Sequence, residues 1–250
     1  MIELARIEAF PPPRSLEQWV AGAWRVEAPD GHEVHTAPDA SIDIVLASNE
    51  AFKGIFVGGP LRSFSKRALK GRTRLWGVSL RPGFAALLGV GADQLPADWT
   101  PLAALELSGE GPVPDAGLAG LFRLIETRAE TARFDDRVGE TIARAEQSLR
   151  PPSVMALARH AGLSERAFRR LFERHVGMPP AAYLRILRFT HAVKRLRAGR
   201  TEGLAETALA VGFTDQSHMA RDLRELGGVT ATELLRGRPL ALMSPATGRL

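Results

Sequence analysis

A short motif written twice in roughly the last hundred residues constrains this chain more than any other feature. Its first copy reads Leu157-Ala158-Arg159-His160-Ala161-Gly162-Leu163-Ser164, and its second, about fifty residues on, reads Thr207-Ala208-Leu209-Ala210-Val211-Gly212-Phe213-Thr214. Each copy offers a helix that must stop at a glycine, because a sharp turn needs the left-handed backbone that glycine adopts without penalty. Gly162 and Gly212 are the expected turn residues. Ala158 and Ala208 stand where two helices cross closely and a larger side chain would hold them apart. Leu163 and Phe213 plug the space under each turn. Ser164 and Thr214 are the expected caps of the following helix, accepting from its free N–H groups. Glu165 and Asp215 fall in the first turn, where the helix dipole favours acid. A single match of this kind describes many ordinary helix pairs. Two with the same internal spacing predict two helix-turn-helix units.

Charge follows the repeat. Residues 150–238 hold 16 Arg or Lys against 8 Asp or Glu, whereas the remainder of the chain holds 17 against 20. A basic stretch beside a slightly acidic one is the electrostatic footprint of a phosphate-binding module. Lys194 is the only lysine in that stretch. Arginine can fork to phosphate or guanine, although arginine richness can also reflect genome composition. The chain has no cysteine, which excludes disulfides, thiolate catalysis and cysteine-based zinc sites. No apolar run approaches the roughly 20 residues of a membrane helix, and no basic-then-apolar leader follows Met1, so the expectation is a soluble, cytoplasmic protein without a membrane partner.

The fold class expected is α+β. Residues 1–107 read as a β-rich regulatory or effector domain, with strands at Ile42–Leu46, Gly54–Gly58 and Leu75–Leu80 bounded by Gly, Pro, Asn and Asp. An early helix is expected from Leu16 to Trp24. Residues 108–150 read as a linker, centred on the Gly- and Pro-rich run 108–114, and two connecting helices. Leu118, Leu121, Phe122 and Ile125 mark one face of the first; Phe134, Val138, Ile142 and Leu149 mark the second. These helices pack on the sheet or against a second subunit. Pro151-Pro152 should stop the second helix and Ser153 cap the next. Residues 151–238 form the basic domain, and 239–250 a tail. Within it Pro179-Pro180 start a long helix to about Leu196, ended by Ala198-Gly199, with Tyr183, Ile186, Leu187, Thr190 and Val193 as its buried stripe. Arg185, Arg188, Lys194 and Arg195 project elsewhere, towards solvent or phosphate. Some 18 residues span about 27 Å, a rod suited to holding two recognition helices in major-groove turns about 34 Å apart.

Residues 153–236 resemble the DNA-binding domain of the AraC/XylS family of bacterial transcription regulators. The resemblance rests on Leu157-Ala158, Ala161-Gly162-Leu163-Ser164, Phe168-Arg169-Arg170-Leu171-Phe172, Gly177-Met178-Pro179, Tyr183-Leu184, Arg188, Ala192, Ala208, Gly212-Phe213-Thr214-Asp215-Gln216-Ser217-His218 and Arg221. It implies a seven-helix module on double-stranded DNA and a separate N-terminal domain for sensing or dimerisation. A small-molecule effector, RNA polymerase and a second copy of the chain are the further partners it implies. The chain departs from the family where Met219 and Leu223 replace aromatics and where Thr230-Ala231 and Leu234-Leu235 follow Gly227-Gly228. These departures point to looser packing or weaker binding in the second unit.

The expected DNA-facing residues are Arg166, Arg169, Arg170 and Arg174 in the first unit, and Gln216, Ser217, His218 and Arg221 in the second. Arg166 and Arg169 lie one turn apart, within reach of guanine edges, and Gln216 suits adenine. Arg170 and Arg221 occupy matching places, for phosphate or for internal carboxylates. Phe168, Leu171, Phe172 and Met219 are core. Because Asp215, Asp222 and Glu225 offset Arg221 and Arg224, the first unit should dominate affinity.

In the N-terminal part Trp19, Trp24, Trp76, Trp99, Phe56, Phe64 and Phe84 are core or the lining of an apolar pocket. His32 and His35 with Glu33 lack the H-x-H spacing of a cupin metal site, so no metal is expected. Arg81 stands for a carboxylate clamp or an internal pair. No Ser-His-Asp order, phosphate loop or paired-carboxylate signature is present. The reading is therefore a non-enzymatic regulator without a cofactor. Its rival is a DNA-associated enzyme or repair protein using the same module for targeting, although alkyl transfer of the repair type needs a cysteine acceptor.

Overall fold

The computed structural model describes residues 6–51, 53–102, 117–199 and 203–237. The run 108–114 and the tail 239–250 lie outside the described residues.

The N-terminal part is β-rich and the C-terminal part helical. β1 (Arg6–Phe10), β2 (Val20–Ala28), β4 (Ile42–Ser48), β5 (Lys53–Gly58), β7 (Thr73–Leu80) and β8 (Thr100–Pro101) form one six-stranded antiparallel sheet in the order β1-β2-β7-β4-β5-β8. β3 (Glu33–Thr36) and β6 (Ser65–Ala68) pair separately. Alternation along the strands gives the large sheet two apolar faces. Ala23, Ile44, Leu46, Val78 and Leu80 point to one, where α1 (Leu118–Ala129) lays down Leu121 and Ile125. Trp24, Val26, Val45, Ala47 and Leu75 point to the other, covered by Val34 and Leu69 beside the small β3–β6 pair. Both faces are thus covered over β2, β4 and β7, whereas the edge strand β1 is largely exposed.

The strands expected around Ile42, Gly54 and Leu75 are all present. The helix expected from Leu16 to Trp24 is not. One 3-10 turn spans Arg14–Leu16, and β2 begins at Val20. From Trp24 onwards the buried residues alternate as Trp24, Val26 and Ala28, and β2 pairs with both β1 and β7. Two sheet partners outweigh a short stretch of helical spacing. Most of the aromatic residues are packing elements: Trp19, Trp76 and Phe84 lean on the first apolar cluster, and Phe56 and Trp99 on the second. Inside the sheet, Trp24 Nε1 donates to Ser79 Oγ over 3.4 Å, and Ser79 in turn donates to Asp43. Burial, with the Asp39 carboxylate nearby, pushes the Asp43 carboxyl up to about 7. His35 pairs with Glu33 at 3.2 Å, and no three His, Asp or Glu side chains converge as metal ligands among the described residues. Arg81 Nε donates to the Glu17 carbonyl over 3.0 Å. No helix among the described residues is long and apolar enough to cross a membrane.

α2 (Asp136–Gln147) does not join α1 on the sheet. Its Val138, Ile142 and Ala145 enter the core of the first helix-turn-helix unit. Leu149 was expected on that face, but the helix ends at Gln147, before Pro151-Pro152, and Leu149 is 48% exposed.

Candidate nucleic-acid interface

Two helix-turn-helix units share one central helix. The first comprises α3 (Val154–His160) and α4 (Glu165–Val176); the second comprises α6 (Leu204–Ala210) and α7 (Gln216–Gly227), followed by α8 (Ala231–Leu235). Between them runs α5 (Pro180–Arg197), opened by its prolines as expected. Its N-terminal half gives Tyr183, Leu184 and Ile186 to the first core, and its C-terminal half gives Phe189, Ala192, Val193 and Leu196 to the second. A single buried stripe does not describe such a helix, because each end is wrapped by a different unit. Tyr183 Oη also donates to Glu146 of α2 over 2.9 Å.

Each turn is closed by the same pair of backbone bonds. The N–H of Leu163 bonds the Ala158 carbonyl at 3.0 Å and that of Gly162 bonds Arg159 at 3.1 Å. The N–H of Phe213 bonds Ala208 at 2.9 Å and that of Gly212 bonds Leu209 at 3.2 Å. This is the double closure in which a left-handed residue follows the helix, and Gly162 and Gly212 supply it at φ 67° and 92°. Ala158 and Ala208 are buried where the helices cross.

Beyond the turns the units diverge. Ser164 caps α4 by accepting from the Ala167 N–H at 3.3 Å. Thr214, expected to cap α7, does not. Asp215 does, accepting from the His218 N–H at 2.8 Å, while Thr214 donates to the Asp215 carboxylate. The second unit therefore carries one more residue between turn and cap. That places Arg170 and Arg221 at matching positions counted from the caps.

Arg166 and Arg170 are exposed on α4 and make no ion pair with a described residue. Arg169 is held by Glu165 one turn back, at 2.6 Å. Arg174 was expected beside them but stands at the other end of α4. Its carbonyl and stem lie against Gly91 of the N-terminal part, where an added Cβ would come within 3.3 Å of the carbonyl. The same end of α4 is fastened by Arg62, which donates to the Gly177 carbonyl over 3.0 Å. On α7, Gln216, Ser217, Arg221 and Arg224 are exposed. His218 is half-exposed, its ring 3.1 Å from Thr214 Oγ1 and edge-on to the Phe213 ring.

A feature the spacing did not reveal lies behind α7. Asp222 is buried at 2% exposure, and Arg185 of α5 grips it through Nε at 3.0 Å and Nη2 at 2.7 Å while also bonding Glu225. Arg188 is drawn in as well: it packs by the second turn, with its guanidinium 5.8 Å from the Phe213 ring centre. Burial makes its proton easier to lose than that of a free arginine. Neither cation therefore projects freely to solvent, contrary to what the spacing along α5 predicts. No local spacing signals the Arg185–Asp222 pair, because its partners lie 37 residues apart on different helices. The replacements at Met219 and Leu223 leave no looseness, since both are fully buried. Thr230 and Glu233 form a reciprocal capping box that starts α8, whose Leu234 closes the same core.

Comparison with known proteins agrees with this arrangement. The profile of a helix-turn-helix domain family, of the AraC type, matches residues 157–237, and residues 8–97 match a domain of unknown function, DUF6597. By that match the chain carries the helix-turn-helix domain of AraC-type regulators. An AraC-type DNA-binding domain therefore occupies its C-terminal end. Among solved structures, a probable AraC family regulator from Rhodopseudomonas palustris is 29% identical over 42% of this chain and 98% of its own, with a TM-score of 0.38. An AraC-type regulator from Chromobacterium violaceum is 27% identical over 41% and 92%, with a TM-score of 0.38. ToxT from Vibrio cholerae spans 97% of this chain and 100% of its own at 10% identity and a TM-score of 0.46. No curated protein sequence matches the chain.

Proposed function

We propose that this chain is a cytoplasmic, non-enzymatic regulator of the AraC/XylS family that inserts α4 and α7 into successive major grooves of one DNA face, with its β-rich part modulating the grip. The observation that carries the reading is the pairing of two glycine-closed turns on one shared helix. Each presents a capped helix with, at the matching place, an exposed arginine that has no ion-pair partner among the described residues: Arg170 and Arg221. α5 is 18 residues long, about 27 Å, a suitable spacer for grooves about 34 Å apart.

Within this proposal Arg166 reads base edges, Arg being suited to guanine, and Gln216 suits adenine. Arg169 joins them by giving up Glu165, a surface pair worth only about 0.3–0.5 kcal/mol. Arg170, Arg221 and Ser217 contact phosphates. The proposed division of the chain is a regulatory part over residues 1–107, a connecting part over 108–150, the DNA-binding domain over 151–238 and a tail. RNA polymerase, a second copy and a small effector are its proposed further partners. Selection of binding sites from a random duplex pool with the full chain tests the reading. The expected result is a site with two half-elements about 10–11 base pairs apart and an affinity that falls steeply with salt. Binding with no sequence preference would sink it.

A further inference from the structure

Between the two parts of the molecule lies an open cavity of about 820 Å³, within the range that holds small ligands. Its apolar floor comes from Leu87, Val90, Leu124 and Ala132, and its rim from Arg128, Arg133 and Arg174. We propose that this cavity binds a small organic acid, an apolar body bearing one or two anionic groups, and that occupancy is felt by α4. The second half of that statement rests on the regulator reading above.

The rim lacks the counter-charges its cations need. Arg128 is partly buried at the end of α1, where desolvation lowers its pKa, and no carboxylate pairs with it among the described residues. A cation withdrawn from water without a partner is costly, and a bound anion offsets that cost. Arg133 spends Nη1 on the Thr131 and Ala132 carbonyls just beyond α1, which fixes the guanidinium at the rim. Arg174 has no ion pair among the described residues either. Glu130 is the acid on the rim, and Asp93 and Asp135 act on neighbouring His175, so arginine outnumbers acid where a ligand would enter. Apolar floor and guanidinium rim together select an amphiphilic acid over a neutral molecule or a bare ion.

The location supplies the coupling. Arg128 and Arg133 belong to the N-terminal side of the joint, whereas Arg174 belongs to α4. An anion bridging them adds a bond across a joint already held by Arg62 and Gly177, and so favours one setting of α4 over others.

Calorimetric titration of the full chain with phthalate, benzoate and benzyl alcohol, without DNA, tests the site. Phthalate should bind more tightly than benzoate, and benzyl alcohol should not bind. Arg128→Met and Arg174→Met should each weaken phthalate about tenfold, as loss of a charged hydrogen-bond partner does, and Arg128→Lys should restore much of the loss. Should either Met variant fail to fold by circular dichroism, Ala86→Trp fills the cavity from its wall and should abolish binding. The site is overturned if neither acid binds at about 10 mM, a Kd range no specific site needs. It is overturned equally if acid and alcohol bind alike, or if binding survives these variants. A second titration measures operator affinity with and without saturating phthalate, and a change of about fivefold or more is expected. Acid binding without any DNA binding removes the regulator reading and leaves the site standing; DNA binding without acid binding does the reverse.

Discussion

The two helix-turn-helix units close their turns with identical backbone bonds, yet they are anchored differently. The first has a neutral serine cap, a face of exposed arginines, and a recognition helix whose far end is docked on the N-terminal part through Gly177 and Arg62. The second has one more residue before its cap, an acidic cap, and a recognition helix stapled from behind by Arg185 on Asp222 and Glu225. One reading head is thus held from outside its domain and the other from inside. The same turn thus serves one helix docked on the N-terminal part and another stapled within its own domain.

Cutting the inner staple should have the largest effect. Arg185→Ala leaves the buried Asp222 carboxylate without its closest cation, with His218 Nε2 3.9 Å away, and such a loss costs about 3–5 kcal/mol; the lower end applies because Arg185 is itself 36% exposed. Chemical denaturation should show the loss, and fluorescence or exchange probes in α7 should report it before those in α4. A uniform loss across both units would remove the distinction between inner and outer anchoring.

The matched glycines that end α4 and α7 sharpen the comparison. Gly177 and Gly228 both adopt left-handed φ, 76° and 61°. A Cβ at Gly228 meets nothing within 4 Å, whereas one at Gly177 would stand 2.7 Å from the Ala92 carbonyl and 2.8 Å from Pro60. Gly228→Ala should cost about 1 kcal/mol of backbone strain. Gly177→Ala should cost about 2–3 kcal/mol, because overpacking is added to strain. Equal losses in thermal unfolding would mean that the joint seen at Ala92 is not held in solution.

DNA contacts separate the heads on a third axis. Arg166→Ala should weaken operator binding by about 1–3 kcal/mol and relax one base position. Gln216→Ala should weaken it by less, since the acids around α7 reduce that head's share of the attraction. Arg170→Ala should lower affinity across all sequences and reduce the salt dependence by about one phosphate contact. Reversal of the order of Arg166 and Gln216 would transfer dominance to the second head.

Much of this was legible in the sequence where a residue's role is local. Gly162, Gly212, Ser164, Ser153 and Pro180 act through backbone geometry within a few positions, and each stands where spacing placed it. What was not legible depended on partners distant in the chain. Val20 to Trp24 could be helix or strand until β7 and β1 lay on either side. Arg185 reads as a surface cation until α7 brings Asp222 across from it, and nothing near Arg174 foretells that its carbonyl and stem meet Gly91. Thr214-Asp215 offered two competent caps in a row, and only the path of the chain out of Gly212 decides between them.

That choice of cap provides the finest test. Ser164→Ala should cost about 1 kcal/mol, and the loss should not vary with pH, because a hydroxyl cap carries no charge. The Asp215 cap behaves differently. The His218 backbone N–H, together with the Thr214 hydroxyl, holds the Asp215 carboxyl below the usual carboxylate range. A depressed folded pKa means that the cap's stabilisation is present above the ordinary carboxylate pKa and is lost as pH falls through the folded value. The amide resonance of His218 should therefore shift on acidification, whereas that of Ala167, which serves the Ser164 cap, should not. Asp215→Asn keeps an acceptor and should flatten the His218 titration. Thr214→Ala should leave it in place at a cost below about 0.5 kcal/mol. If Thr214→Ala instead removed the titration and frayed α7, the hydroxyl would be the true cap, and the additional residue that distinguishes the second unit would belong to its helix rather than to its turn.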